Sequence, residues 1–210
     1  FGIVADPFNA GVGVNPANGA EHPPYMTGMG SMVSVEAALA QAMQLYPGVR
    51  KIGLAWNAAE SNSLSYTKAA RAACQKLGLT LLEANVENTS AVGEAASSLV
   101  SRGADALLVT GDVTVLVAAD AVAAAAKRGR IPAFSLIPPN VKKGMLFDLG
   151  SNFYEVGRQI GDLAAKVLRG ADPKDIPVVN FVVPKLTVNT TVLQGLKDPW
   201  KLPPEMIAPA

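Results

Sequence analysis

Cysteine and histidine are almost absent from this chain: Cys74 is the only cysteine and His22 the only histidine. One cysteine excludes an intrachain disulfide, and one residue of each kind excludes a Cys/His metal cluster. Basic runs are absent as well. The 18 lysines and arginines are scattered among 17 acidic residues, for a net charge of +1. That balance gives no electrostatic case for nucleic acid or an acidic membrane surface as a partner. No apolar run has transmembrane length; the most apolar stretch, Val113 to Ala126, is short and carries Asp120. Catalytic signatures are missing too. No serine has glycine at both flanking positions of a nucleophile elbow, and no G-x-x-x-x-G-K-[ST] loop is present. Gly11-Val12-Gly13 is followed by Pro16 where a dinucleotide fingerprint wants its third glycine, so a loop is expected there rather than a phosphate cradle. No cofactor is expected.

What is present is ample apolar material. Half of the 210 residues are hydrophobic, enough for one large domain or two small ones. Lys51 to Trp56 reads as an apolar strand, Asn57 to Ser63 as a polar loop, and Leu64 to Leu77 as a helix with Thr67, Ala70, Cys74 and Leu77 on one face. Cys74 is therefore expected in the core. The same alternation continues on both sides. Val35, Leu39, Ala42 and Met43 mark a helix stopped by Pro47-Gly48. Strands are expected at Thr80–Glu83, Asp105–Thr110, Ile131–Leu136 and Met145–Leu149, with helices at Ala91–Arg102 and Val113–Arg128 between them. Asn152 to Leu168 carries the clearest amphipathic stripe, including Phe153, Val156, Ile160 and Leu163. Ile176–Val183 and Leu186–Val192 read as two more strands, and Trp200 to Ala210 as an extended surface tail. His22, beside Pro23-Pro24, reads as a solvated loop residue. Phe1 to Ala5 reads as a buried strand that begins at the first residue, so a preceding segment is expected. Strands alternating with helices specify an α/β fold with a parallel sheet, and right-handed crossovers bring the strand C-termini to one edge.

Polar residues collect at that edge. Trp56 and Asn57 end one strand, with Glu60, Ser61, Asn62 and Ser63 behind; Asp112 and Thr114 follow a second; Ser135 closes a third. Asp6 follows the N-terminal strand in the same way. The group suits a small zwitterion. Ser61, Asn62 and Ser63 sit where a helix begins, and its free N–H groups favour a carboxylate. Asp112 suits an ammonium group, and Trp56 and Phe134 an apolar wall. Each residue also has a plain architectural reading. Ser61, Ser63 and Asp112 are good helix caps, Asn57 a good turn residue, and the two aromatics good core residues.

The residues also resemble a known family. Val4-Ala5-Asp6-Pro7-Phe8-Asn9-Ala10-Gly11 is similar to a V-x-D-P-x-x-A-G strand end. Pro47 to Asn57 with Glu60-Ser61-Asn62-Ser63 resembles P-G-V-K-R-V-G-V-L-Y-N-P-x-E-x-N-S, with Ala58 in place of the proline. Asn152 to Gly161 resembles D-Y-Y-E-L-G-R-Q-x-G, and Leu186-Thr187-Val188-Asn189 with Leu202-Pro203-Pro204 resembles a C-terminal signature. These belong to the type I periplasmic-binding family, the solute-binding proteins of ABC importers, in the subgroup with tryptophan- and tyrosine-binding members.

The resemblance implies two Rossmann-like lobes, with the first lobe incomplete in this chain. Residues 1–29 would be part of lobe I and its crossover, 30–150 lobe II, and 151–210 the return to lobe I with the C-terminal tail. It implies a binding protein rather than an enzyme. The ligand would be an amino acid or similar small solute, aromatic ones included, and the partner an ABC permease in the membrane. Placement would be periplasmic or extracytoplasmic, with a lipid anchor conceivable on a preceding segment. An incomplete lobe would also call for a dimer or a complementing N-terminal segment. A ligand-sensing regulatory core of the same fold and a Rossmann-type enzyme are the alternatives.

Overall fold

The computed structural model describes residues 2–203. In chain order the elements are β1 (Gly2–Val4), β2 (Gly28–Gly30), α1 (Val35–Leu45), β3 (Lys51–Trp56), α2 (Ser61–Leu77) and β4 (Thr80–Asn85). Then come α3 (Val92–Ser101), β5 (Ala106–Val109), α4 (Val113–Val117), α5 (Ala119–Gly129) and β6 (Ala133–Ser135). The last are β7 (Phe147–Ser151), α6 (Phe153–Leu168), β8 (Val179–Asn180) and β9 (Pro184–Val188). The chain forms two compact units. The first takes the residues up to Val33 and Ser151–Lys185; the second takes Ser34–Gly150 and the residues from Leu186 onward.

The second unit carries a six-stranded sheet in the order β4-β3-β5-β6-β7-β9. Strands β4, β3, β5, β6 and β7 are parallel. Each crossover but the last runs through a helix, which leaves α1 packed on α2 and α3 packed on α5. A parallel sheet so covered is buried on both faces, and β5 and β6 are accordingly buried at every residue. Asn189 N–H, just past β9, donates to Leu146 O just before β7, so β9 runs back antiparallel to β7. Small residues let the layers close. A Cβ added to Gly53 of β3 would stand 2.6 Å from Leu107 and 3.1 Å from Leu99, so the glycine admits α3 onto the sheet. Cys74 is buried in α2, and burial pushes its thiol up to about 11. It is a core residue.

The structure departs from expectation in several places. Helix α2 starts at Ser61, three residues before Leu64. The expected helix over 113–128 is two helices that break at Ala118, whose N–H donates to Val115 O at 3.1 Å, three residues back instead of four. No glycine or proline marks that break in the sequence. The chain after Asn189 is a 3-10 helix, Thr190–Gly195, because the Asn189 side chain caps it through Thr191 N–H at 3.2 Å. The tail is not wholly superficial: Trp200 is buried against Tyr46 with ring centres 5.2 Å apart, and Lys201 N–H donates to Leu45 O. These contacts place 186–203 with the second unit, where the resemblance had assigned 151–210 to the first lobe. Phe1 and the tail residues 204–210 lie outside the described residues.

The first unit is smaller. Its sheet is β1-β2-β8, all parallel. Strand β2, Gly-Met-Gly, has no strand propensity of its own and exists through pairing on both sides. The strand expected over 176–183 shrinks to Val179–Asn180, because Pro177 and Pro184 remove ladder donors on either side. The segment 9–25 is compact rather than loose. Glu21 accepts from Asn15 Nδ2 at 2.6 Å and from Asn18 Nδ2 at 2.9 Å, and those bonds hold its carboxyl below the usual range. His22 is half-buried, not solvated; its ring nitrogens each lie 3.0 Å from a carbonyl, of Pro23 and of Ile176. Helix α6 buries Val156 and Leu163, while Phe153 and Leu168 of its stripe stay exposed.

Candidate functional site

The strand C-termini of the second unit meet at one edge, and a carboxylate network ties their loops together there. Asp112 is its centre. It is 0% exposed. Its Oδ1 accepts from Val115 N–H at 2.8 Å and so caps α4. Its Oδ2 accepts from Asn57 N–H and from the Ser63 hydroxyl, both at 2.6 Å. One buried side chain therefore joins the ends of β3 and β5 and the first turn of α2. Gly111 makes room for this: a Cβ there would stand 2.5 Å from the buried ring of Tyr66.

Glu60 adds a second clamp. Its carboxylate accepts from Val113 N–H at 2.7 Å, from Thr114 N–H at 2.9 Å and from the Thr114 hydroxyl. Partial burial works to raise its pKa, but the bonds from Thr114, Val113 and Asn62 outweigh it and hold the carboxyl below its ordinary value. Asn57 closes the ring. Its Nδ2 donates to Thr114 Oγ1 at 3.0 Å, and its Oδ1 accepts from Ala59 N–H at 2.9 Å, the turn expected of it. Asn62 Nδ2 donates to Gly111 O.

The two helix starts at this edge are thus unlike. Helix α4 has Val113, Thr114 and Val115 N–H groups all taken by the carboxylates of Glu60 and Asp112. Helix α2 has Glu60 at its N-cap position and no side-chain cap. Ser63 does not cap it, since its hydroxyl turns inward to Asp112. Ser61 is exposed and Asn62 half-buried. Among the described residues, the start of α2 is the one of the two with no side-chain cap on its first N–H groups.

Ser135 sits at the end of β6 and holds the loop beyond it. Its Oγ accepts from Ile137 N–H at 2.9 Å and from Asn140 Nδ2 at 3.1 Å, and its hydroxyl reaches Ile137 O. Asn140 and Asp148 were not singled out in the sequence, yet both belong here. Asp148 lies beside Ser135 in register on β7 and accepts from Val141 N–H at 2.9 Å. Its other oxygen is buried without a partner among the described residues, and burial pushes the carboxyl up to about 6 against the backbone N–H groups of Val141 and Asn140. The signal was a lone acid inside the apolar run Met145–Leu149.

Two aromatic residues separate. Phe134 is fully buried and stacked on Phe147, ring centres 4.7 Å apart, so it is core and not a wall. Trp56 is half-buried at the end of β3 with the Arg71 guanidinium 5.3 Å from its ring centre. Asp6 belongs to the first unit. It folds its own turn, accepting from Phe8 N–H and Asn9 N–H at 3.1 and 3.2 Å and from Asn9 Nδ2 at 2.8 Å.

Comparison with known proteins fits this architecture. Residues 3–198 match the family described as ABC transporter substrate binding protein. A tyrosine-binding protein of Clostridioides difficile (strain R20291) is 28% identical over 194 residues, which is 92% of this chain. The chain spans 55% of that protein's length, about half. The crystal structure of an ABC domain in complex with L-Trp from Streptococcus pneumonia superposes with a TM-score of 0.83 at 24% identity, covering 98% of this chain and 68% of the other. A ligand-free, open structure of a substrate-binding protein with adhesive properties from Clostridium difficile gives a TM-score of 0.72 at 28% identity, over 94% of this chain and 66% of the other. The fold is that of the periplasmic binding proteins, and the chain belongs to the ABC transporter substrate-binding protein family.

Proposed function

We propose that this chain captures a small amino-acid-like solute for an ABC importer, with the solute carboxylate held at the start of α2. The observation that carries this reading is the contrast between the two helix starts. Carboxylates of the chain itself saturate α4, whereas α2 opens uncapped at the strand-end edge beside Ser61 and Asn62. Ligands of open parallel α/β folds bind at such edges, and an uncapped helix start favours an anion. Ser61, Asn62 and Trp56 are the contact residues in this reading, with Glu60 and Thr114 at the rim. Asn57, Ser63, Asp112 and Ser135 position the loops that carry them. Asp6, placed with the ligand by its position after the N-terminal strand and by the family resemblance, holds its own turn in the first unit. The tyrosine- and tryptophan-binding relatives favour an aromatic amino acid as the solute.

The role is binding without chemistry on the ligand, on the outer side of the membrane, with a permease as the receiving partner. Closure around the solute would follow from tighter binding in the closed state. The exposed Phe153 and Leu168 on α6 support a second copy or a complementing segment over the first unit as a further partner.

Isothermal titration of the chain with L-tyrosine, L-tryptophan, their decarboxylated amines, and glucose tests the reading. Saturable binding of an amino acid with loss on decarboxylation is the expected result. Glucose binding without amino-acid binding, or equal binding of the amines, would overturn it.

A further inference from the structure

A cavity of about 470 Å³ lies in the second unit, away from the edge just described. Ile131, which leads into β6, and Gly144, which precedes β7, both line it, so it opens near the strand beginnings. Its volume is in the range of small-molecule sites. One wall is a face of α5, with Ala123, Ala126 and Lys127, continued by Arg130 just past its C-terminal end. The other wall is the 3-10 segment after β9, with Val192 and Leu196.

Two features mark this cavity out. Neither of its cations has a carboxylate partner among the described residues. The ion pairs among those residues use Arg71, Lys76, Lys143, Arg158 and Lys174, and none of their carboxylates reaches Lys127 or Arg130. Arg130 Nε donates to Gly195 O at 3.4 Å, which sets the guanidinium along the wall, and its terminal nitrogens have no partner among the described residues. Two full positive charges also exceed the roughly half-unit negative charge of the α5 C-terminus. The second feature is backbone strain. Arg130 has φ +54°, the left-handed region, and is the non-glycine residue with positive φ among the described residues. Glycine is the usual occupant of such a helix end, and a long side chain there is disfavoured. A side chain kept in a disfavoured conformation is a reason to look for a function.

We propose that this cavity is a second binding site, for an organic carboxylate with a short apolar body. The apolar part would lie between Ala126, Ile131, Val192 and Leu196. The carboxylate would take a bidentate bond from Arg130 with support from Lys127. The site is independent of the solute site at α2.

Methyl-detected NMR titration of the full chain with sodium hexanoate tests this, with hexylammonium as the opposite-charge control. Saturable shifts at the Val192 and Leu196 methyls are expected with hexanoate and not with hexylammonium. Arg130→Gln should weaken hexanoate binding about tenfold or more. Arg130→Gly relieves the strained backbone, so it should fold at least as well and still lose the binding. Absence of saturable shifts at these methyls, equal response to hexylammonium, or full affinity in Arg130→Gly would each overturn the proposal.

Discussion

Helices α2 and α4 begin at the same sheet edge, tied by bonds from Glu60 to Val113 and Thr114, but are opposite in their chemistry. Helix α4 is five residues long and starts under two carboxylates, from Asp112 and Glu60. Helix α2 is 17 residues long and starts with no side-chain cap. A short helix has few internal bonds and needs its end satisfied; a long one packed along Tyr66, Ala70 and Cys74 tolerates an open end. Stability is thus concentrated at one start and accessibility at the other.

The largest expected effect comes from removing the clamp. Asp112→Ala strands the Val115 N–H group and the Ser63 hydroxyl in a buried place and leaves Asn57 N–H only its 3.2 Å bond to Ser63 Oγ, and should cost about 3 kcal/mol of unfolding free energy. Urea denaturation reads it directly; a loss below about 1 kcal/mol would mean that the clamp is not what holds the loops.

Asp148 should come next, as a pH effect. Its folded-state pKa of about 6 lies above the ordinary 3.8, so the folded state holds the proton more tightly than the unfolded one. Stability from this residue therefore falls as pH rises between those values, by about 3 kcal/mol in all. Asp148→Asn should flatten that part of the stability–pH curve; an unchanged slope would place the effect elsewhere.

Glu60→Ala should be milder. It frees the Val113 and Thr114 N–H groups near solvent, for a loss of about 1 kcal/mol in a thermal melt. The smallest change in stability sharpens the contrast most. Ser61→Asp puts a carboxylate at the start of α2 and should stabilise by about 0.5 kcal/mol. The same carboxylate should weaken amino-acid binding tenfold or more. Unchanged affinity would remove α2 from the solute site.

The alternation of strands and helices was legible because the hydrophobic pattern changes period with the element. The residues of the edge were legible as types. Their partners were not. Ser61 and Ser63 look alike on paper, but two residues along a helix turn a side chain by about 200°. Ser63 accordingly faces Asp112 inside while Ser61 faces out. Asn140 and Asp148 escaped notice because their partners, Ser135 and Val141, come from loop geometry that no spacing encodes. The break at Ala118 has no compositional mark, and the tail read as superficial from its prolines although Trp200 finds Tyr46.

The lone cysteine has a practical consequence. Cys74 is buried and its thiol is pushed up to about 11, so at neutral pH almost none of it is thiolate, the form that reacts with alkylating dyes. A cysteine placed at the exposed Ala58 would be the only reactive thiol. A fluorophore attached there would sit at the rim of the proposed solute edge, in an otherwise unmodified chain, and its change in emission on adding an amino acid would test that edge as the binding site.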